Sequence, residues 1–304
     1  MRLQSGSLRG RDDFLNLKGK IVETVPAGLV NIAHQDVGDD ELAEIAMILK
    51  TRRNFSISVY KDTCMKRRIA IRVRSSGCSS ASDYCRLLRQ SELELNLLQK
   101  VLTIHVSQFF RNPSMFEKLR KDILPVLYQG CAESEAHLRI CCLGCAGGEE
   151  PYSLAILLRE HFPLNLKQTP TTINATDIDE ETLDAARKAE FNEDRLKELP
   201  DGFREKYFYP SGSRMQLTSI IRDMVTFHQS DIALSEKFQP CNLLLCRNTL
   251  IYFNRPDLEQ ILNRAADILP TGGILVLGKS ETLVGDVRRM FTMVCPIERI
   301  YRRN

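Results

Sequence analysis

The chain is predicted to be an α/β protein, with a doubly wound, mostly parallel sheet behind a helical N-terminal domain. Residues 138–158, LRICCLGCAGGEEPYSLAILL, run from an apolar strand through a glycine loop into a helix, as at the nucleotide site of an open parallel sheet. Residues 171–179 form a second apolar run ending in acids, and residues 39–102 place apolar side chains at helical spacing. Aromatic residues and a Pro-Ser-Gly turn indicate a small antiparallel β insertion at about 203–224.

The composition is typical of a soluble globular protein and identifies no partner. The 304 residues suffice for one large domain or a large and a small one, 43% of them are hydrophobic, and the formal net charge is only +3. No apolar run approaches the roughly 20 residues of a membrane span, and the N-terminus lacks an apolar signal region. We therefore expect a cytoplasmic protein without membrane insertion, in which residues 1–38 are a flexible extension.

The ten cysteines are interpreted as core residues. Most lie inside apolar runs, as do Cys141, Cys142 and Cys246. A reducing compartment disfavours disulfides. Cys142 and Cys145 form one C-x-x-C pair, but a structural zinc site usually needs a second pair, so no metal is expected.

The charges beside the glycine loop, which begins at Gly144, restrict its ligand. Glu149 and Glu150 occupy the helix N-terminus, where a phosphate would otherwise bind, and no GxxxxGK[ST] pattern is present. S-adenosylmethionine fits better, because carboxylates accept hydrogen bonds from hydroxyl or ammonium groups and a sulfonium tolerates negative charge. The alternative is a plain strand–turn–helix corner with a solvated pair of glutamates.

Two other strand ends point to the same site. Asp177 ends the second strand, where an acid holds ribose hydroxyls in nucleotide folds; the alternative is that Asp177 or Asp179 only caps the next helix. The run CNLLLCRNTLIYF predicts a buried strand with Arg247 and Asn248 at its exit. Ligands bind beyond the carboxyl ends of such strands, so these two residues should face the ligand.

The N-terminal part carries a basic helix. Residues 60–77, YKDTCMKRRIAIRVRSSG, keep helical spacing and hold many Lys and Arg residues. This charge favours docking of an acidic partner, although it can equally be a solvated helix face. Nucleic acid is disfavoured, because interleaved aromatics are missing and the rest of the chain is charge-balanced. The helix from Glu92 to Val101 is expected to bury Leu93, Leu97 and Leu98. In the joining segment 103–116, Arg111 follows two aromatics and is either a structural pin or a substrate clamp.

These motifs together resemble the CheR-type chemotaxis receptor methyltransferases over roughly residues 40–302. They occur in that family's order: the basic YKxxxxKRRIxxR helix, SQFFRNP, GCAGGEEPYSLA, ATDID, CRNTLIYF, GGILVLGKSE and a final IYRR. The resemblance implies a helical domain at 39–102 and a Rossmann-like methyltransferase domain at 103–304. It also implies methyl transfer from S-adenosylmethionine to receptor glutamates, with S-adenosylhomocysteine as product.

The resemblance assigns the site residues. Methyl transfer falls on Arg111 and Tyr252, and docking of the acidic receptor helices falls on Arg68, Arg72 and Arg74. The cofactor contacts fall on the following residues: His105, Ser107, Arg111, Gly144, Glu150, Asp177, Asp231, Ile232, Arg247 and Asn248.

The chain departs from the family pattern at four positions. His105 and Asp231 each stand where members usually have Asn, Ser107 where they have Thr, and Lys279 where they have His. The His105 and Asp231 changes leave open a non-catalytic, cofactor-sensing module, and a methyltransferase acting on another acidic protein is a further alternative. A glutamate, with a reference pKa of about 4.3, is ionised at pH 7, so neither a general base nor a metal is required. We expect a monomer that acts on receptors.

Overall fold

The computed structural model describes residues 36–103, 107–234 and 239–304. His105 lies outside the described residues, and so does the expected extension except for its last three residues. Of these three, Val37 is buried against the N-terminal helices. Among the described helices, none is both long and apolar enough to cross a bilayer, and the longest have 15 residues.

The N-terminal part is helical, as predicted. Its helices are α1 (Asp39–Arg53), α2 (Asp62–Ser76), α3 (Ala81–Gln90) and α4 (Glu92–Leu102). The hydroxyls of Ser80 and Ser91 accept hydrogen bonds from the third residue of α3 and of α4, and so cap both helices. The four helices bury a common apolar cluster.

The buried side of α4 differs from the prediction. Leu93 is 70% exposed and Leu97 is half-buried, whereas Leu95, Leu98 and Leu102 are buried. The last three residues are three or four positions apart and therefore lie on one face of the helix. Leu93 was wrongly placed in the core, since it lies two positions from Leu95 and so points to the opposite side.

The joining segment leads through three short helical pieces to the sheet. These are α5 (Pro113–Lys118), a π-helical turn (Leu119–Ile123) and α6 (Leu124–Glu133). Phe109 and Phe116, next to or within these pieces, are fully buried in the core of the large sheet. They anchor the joining segment in this core.

A seven-stranded, mostly parallel sheet forms the centre of the molecule. Its strands are β1 (Leu138–Leu143), β2 (Thr171–Asp177), β6 (Val225–Gln229), β7 (Leu243–Cys246), β8 (Ile274–Leu277), β9 (Phe291–Cys295) and β10 (Ile300–Arg303). The order is β6-β2-β1-β7-β8-β10-β9, and only the pairings of β10 are antiparallel. The chain builds β2 and β6 on one side of β1, then β7 and β8 on the other. The switch between β1 and β7 opens a crevice at their carboxyl ends.

Helices cover both faces of this sheet. The further helices are α7 (Glu149–His161), α8 (Pro163–Gln168), α9 (Glu180–Lys188), α10 (Phe203–Tyr207), α11 (Ser219–Arg222) and α12 (Arg255–Asp267). Ile140 and Cys142 of β1 pack into the cluster that contains α7, whereas Cys141 and Leu143 pack into the cluster that contains α12. This alternation confirms the doubly wound fold, since successive strand residues face opposite layers.

A second, antiparallel sheet confirms the small β insertion. Its order is β3 (Glu190–Phe191), β5 (Arg214–Leu217), β4 (Phe208–Ser211). Strand β3 lies before the predicted range of 203–224. The prediction missed it because two residues are too few to give a strand pattern in the sequence. The boundaries of the helical and methyltransferase domains stay a prediction.

Candidate active site at the carboxyl edge of the sheet

The glycine loop after β1 brings two strand ends into contact. Gly144 has a φ of +68°, and a Cβ there would lie 2.5 Å from Oγ1 of Thr249, beyond the end of β7. Only glycine combines this left-handed backbone with such a close approach. The loop is also tied to β2, because the Cys145 amide donates to the Thr176 carbonyl. The glycines therefore serve close packing at the crevice.

Asp177 and Asp179 have different roles. Asp179 caps α9, since its carboxylate accepts from the Glu181 amide and the Thr182 hydroxyl. Asp177 is only 7% exposed, and its carboxylate accepts from the amide of Ala146 at 2.8 Å. The acid that caps the following helix is therefore Asp179. Asp177 instead joins β2 to the glycine loop beside the crevice.

One cleft brings together several of the predicted residues. Its lining includes Gly144, Asp177, Asp231, Ile232, Asn248 and Tyr252. Ile232 supplies a buried apolar wall. Asp231 is half-buried and accepts from the Ala233 amide, and burial raises the pKa of its carboxyl above the ordinary value.

A second cleft shares Gly144, Asn248 and Thr249 with the first. It adds the predicted residues Ser107, Arg111, Glu150 and Arg247. The two clefts therefore form a continuous groove across the carboxyl ends of β1 and β7. Every predicted cofactor residue that the structure describes lines this groove.

Arg247 holds the second cleft together. Its side chain is 2% exposed and pairs with Oε2 of Glu150 at 2.8 Å. The same guanidinium donates to the Arg111 carbonyl at 3.0 Å and to Oδ1 of Asn112 at 2.7 Å. It thus connects the end of β7 with α7 and with the joining segment. One oxygen of Glu150 is consequently engaged by Arg247.

The basic helix α2 does not present its arginines as one exposed face. Arg68 is 4% exposed, lines the first cleft, and places its guanidinium 4.6 Å from the centre of the Tyr252 ring. Arg72 makes a bidentate pair with Glu94 of α4, at 2.9 and 2.8 Å. Only Arg74 of the three is exposed. The three arginines therefore do not share one exposed face, because α2 packs against α4 and against the turn after β7; their role in docking stays a prediction.

The start of α2 is fixed to the turn after β7. The Lys61 amide donates to the Tyr252 carbonyl at 2.8 Å, and Nζ of Lys61 donates to the Ile251 carbonyl at 2.8 Å. The rings of Tyr60 and Phe253 stack with their centres 4.8 Å apart. These contacts fix the position of Arg68 over the first cleft.

Arg68 retains hydrogen-bonding capacity. One guanidinium nitrogen donates to the Leu102 carbonyl, whereas Nε and Nη2 are buried without an acceptor among the described residues. Burial lowers the pKa of Arg68 from its ordinary value, but an arginine stays charged at neutral pH. A buried cation with two unused donors suits a carboxylate.

Sequence reasoning missed three residues of the groove region. Tyr60 lines the first cleft, and burial together with nearby Asp231 and Asp177 raises the pKa of its hydroxyl well above the ordinary value. Thr249 lines both clefts. Glu281 lies behind the turn that contains Thr249. Each of the three stands inside one of the sequence motifs. The available signal for a place near the groove was closeness along the chain: Tyr60 to Arg68, Thr249 to Asn248, and Glu281 to the end of β8.

The groove fits S-adenosylmethionine by its chemistry. Asp177 and Asp231 offer acceptors beside an apolar wall, as a ribose and an adenine require. Acidic side chains beside the glycine loop disfavour a phosphate ligand. The unused donors of Arg68 suit a carboxylate at the same cleft.

Comparison with known proteins identifies the family. A family model described as "CheR methyltransferase, SAM binding domain" matches residues 105–298, and one described as "CheR methyltransferase, all-alpha domain" matches residues 40–103. The chemotaxis protein methyltransferase of Borreliella burgdorferi is 29% identical, over 85% of this chain and 93% of its own length. That of Listeria innocua is 30% identical, over 78% and 88%.

A third relative is much longer than this chain. An uncharacterized 104.1 kDa protein of Rhodobacter capsulatus is 31% identical over 86% of this chain, and the chain spans only 27% of that protein's length. The two family models together cover the helical part and most of the sheet. The chain therefore belongs to the CheR family of S-adenosylmethionine-dependent methyltransferases.

Proposed function

We propose that the chain methylates glutamate side chains on the cytoplasmic helices of chemotaxis receptors, as a monomer in the cytoplasm. The observation that carries the proposal is Arg68, a buried cation with unused donors above the Tyr252 ring. It lies in the cleft that also contains Asp177 and Asp231. A target carboxylate that entered this cleft would pair with Arg68 beside the methyl donor.

The printed names of the relatives support receptors as the substrate class. The Borreliella burgdorferi and Listeria innocua proteins are both called chemotaxis protein methyltransferase. An acidic helix would also meet positive charge on α2, because Arg74 and Arg67 are exposed there. We propose that these exposed residues guide the receptor, that Arg68 receives the glutamate, and that Arg72 instead fixes α2 to α4.

The chemistry demands little beyond positioning. A glutamate side chain has a reference pKa of about 4.3, so it is a nucleophile at neutral pH without a general base. Bound S-adenosylmethionine supplies an electrophilic methyl group and a neutral thioether as the leaving group. Holding the reacting groups in line can remove roughly 7–11 kcal/mol of the barrier. The protein's part is therefore to orient the carboxylate and to exclude water.

Individual roles follow from the groove. Arg68 and Arg111 would orient the incoming carboxylate through part of the guanidinium, which leaves one carboxylate oxygen available to attack. Tyr252 would form the wall beside the transferred methyl group. Asp177 would accept from the ribose hydroxyls, because it ends β2.

The remaining cofactor residues are assigned by their place along the groove. Asp231 and Ile232 would contact the adenosine side in the first cleft. The amino-acid side would lie in the second cleft, whose predicted residues are Ser107, Arg111, Glu150 and Arg247. Gly144 and Asn248 line both clefts and would contact the middle of the ligand. We also propose His105 as a contact, and 39–102 and 103–304 as the two domains.

The test is transfer of labelled methyl groups from S-adenosylmethionine to purified cytoplasmic fragments of several chemotaxis receptors. The expected label is lost in mild base, because methyl esters hydrolyse whereas methylated amines do not. Matched fragments with the methyl-accepting glutamates changed to alanine should take up no label. Base-stable label, or a lack of transfer to every fragment, would contradict the proposal.

A further inference from the structure

Glu281 is a buried carboxylate beneath the turn that follows β7. It lies four residues beyond β8 and is 4% exposed. Its Oε2 accepts from the amides of Gly278 and Asn248, at 2.6 and 2.9 Å, and its Oε1 accepts from those of Leu250 and Ile251, at 2.7 and 3.3 Å. One side chain therefore accepts hydrogen bonds from four backbone N–H groups, and three of these belong to the turn.

The shape of the turn explains this convergence. Asn248 has a φ of +59°, in the left-handed region, and residues Leu250–Tyr252 form a 3₁₀ turn. Such a reversal points successive amides toward one side, where each buried N–H needs an acceptor. A carboxylate offers about four lone-pair sites, and hydrogen bonds to a charged acceptor are about twice as strong as neutral ones.

Close packing leaves the turn little room to move. A Cβ on Gly278 would lie 2.8 Å from the Asn248 nitrogen and 2.7 Å from Oε2 of Glu281. On the other side, a Cβ on Gly144 would lie 2.5 Å from Oγ1 of Thr249. The turn thus packs closely against two glycines, and Glu281 accepts hydrogen bonds from three of its amides.

The turn carries residues that face the ligand, although Glu281 itself lines neither cleft. Asn248 lines both clefts, and Tyr252 lines the first and lies beneath Arg68. We propose that Glu281 is a positioning residue for methyl transfer, acting through the Asn248–Tyr252 turn. This inference rests on the proposed role of Tyr252 in the reaction.

A purely structural role would lower stability without a specific effect on the reaction. A positioning role predicts two further effects. The loss should fall mainly on kcat, because the methyl donor has many contacts outside this turn, whereas the proposed role of Tyr252 is confined to the site of methyl transfer. The losses of kcat from changing Glu281 and from changing Tyr252 should also be non-additive. Once Tyr252 is misplaced, removing its hydroxyl should lower kcat by less.

The test uses Glu281→Gln, which keeps one carbonyl oxygen but turns an NH₂ group toward two of the amides. With receptor fragments as substrate, we expect kcat to fall at least about tenfold and the Kd for S-adenosylmethionine to change less than about threefold. Tyr252→Phe should lower kcat in the parent protein but by less than about twofold in the Glu281→Gln protein. A kcat within twofold of the parent value, or losses that simply multiply, would overturn the proposal.

A matched control and a second readout keep the test decisive if Glu281→Gln is poorly stable. Glu298 is also buried, but it contacts Ser114 and Lys279 outside the turn. Glu298→Gln should leave kcat near the parent value. Glu281→Asp retains the charge but retracts it by one methylene, and should be intermediate between parent and Glu281→Gln.

Hydrogen exchange of the peptide 247–252 reports the turn directly. We expect faster amide exchange there in Glu281→Gln and not in Glu298→Gln, since only the first variant removes acceptors from this turn. Unchanged exchange would overturn the proposal. If the parent protein methylates no receptor fragment, the proposed substrate is wrong, and the exchange experiment still decides whether Glu281 holds the turn.

Discussion

The carboxyl edge of the sheet and helix α2 both carry several charges but hold them in opposite ways. At the sheet edge the charges are largely paired inside the protein: Arg247 pairs with Glu150, although its Nε has no acceptor among the described residues, and Glu281 accepts hydrogen bonds from four amides. Along α2 the charges grade from Arg68, buried with unused donors, to Arg74, exposed to solvent. The edge is thus preorganised, while the helix keeps charge available for a partner.

The charge of a sequence motif therefore does not by itself define what its residues do. Arg72 and Arg68 belong to the same basic helix, yet one is paired with Glu94 and the other faces the cleft. Buried charged groups whose hydrogen bonds are made within the protein fix the local geometry. A buried cation with unused donors is costly in free energy until a ligand pairs with it. Five experiments test this contrast.

The largest expected effect is on the preorganised edge. Arg247→Ala removes the partner of Glu150 and two hydrogen bonds to the joining segment, so the unfolding free energy should fall by about 3–5 kcal/mol. Denaturant unfolding measures it. The control, Arg255→Ala, breaks an exposed pair with Glu259 and should cost less than about 1 kcal/mol. Equal losses in both variants would contradict the contrast between buried and exposed pairs.

Arg68→Ala tests whether the buried end of α2 binds the target carboxylate. A hydrogen bond to a charged group is worth about 1.5–3 kcal/mol, so kcat/KM for receptor should fall about 10- to 150-fold. The affinity for S-adenosylmethionine should stay close to that of the parent protein. Arg68→Lys keeps the charge without the planar fork and should be intermediate. Unchanged receptor kinetics would remove Arg68 from the substrate site.

Asp177→Ala tests the donor side of the groove. Loss of an acceptor for the ribose hydroxyls, and of the bond to the Ala146 amide, should weaken S-adenosylmethionine binding more than about tenfold by calorimetry. The matched control is Asp179→Ala, which removes the cap of α9 and should cost about 1 kcal/mol of stability. Parent-like affinity in Asp177→Ala would exclude Asp177 from the site.

Arg74→Glu tests the exposed end of α2. Reversal of an exposed charge should raise the KM for receptor only a few-fold at low salt. At about 0.5 M salt the effect should vanish, because the Debye length is then only a few ångströms. The loss in Arg68→Ala should persist at that salt, since burial limits screening. An effect of Arg74→Glu on KM that did not change with salt would contradict the proposed difference between the exposed and the buried end of α2.

The smallest effect concerns Asp231, where burial raises the pKa of the carboxyl. The folded state then binds the proton more tightly than the unfolded state, so stability falls as pH rises from the ordinary value of 3.8 through the folded pKa. Asp231→Asn keeps an acceptor for the Ala233 amide and removes this penalty. Its Tm should exceed that of the parent at pH 7, with a difference that shrinks as pH falls through this window. A constant difference would contradict the burial effect.

The sequence predicted best what depends on strand ends. Gly144, Asp177, Arg247 and Asn248 were placed together because parallel strands deliver their carboxyl ends to one edge. That rule needs no knowledge of side-chain packing. Aromatic residues and the Pro-Ser-Gly turn located the small antiparallel sheet, apart from its two-residue strand β3.

The sequence could not predict what depends on long-range packing. The burial of Arg68 follows from how α2 lies against the sheet edge, and Arg72 finds Glu94 22 positions further along the chain. The motif around Glu281 did not show which groups it binds, because every non-proline residue carries a backbone N–H and the sequence does not tell which of them converge on one carboxylate. Contacts of this kind become visible only when the elements are assembled.

The central claim is that the methyl donor lies across the carboxyl edge of the sheet and faces Arg68. A crystal structure with S-adenosylhomocysteine tests it most directly. We expect ribose hydroxyls at hydrogen-bonding distance from Asp177, about 3 Å, with the sulfur directed toward Tyr252 and Arg68. An adenosine bound away from Asp177, or a sulfur directed away from Arg68, would contradict it.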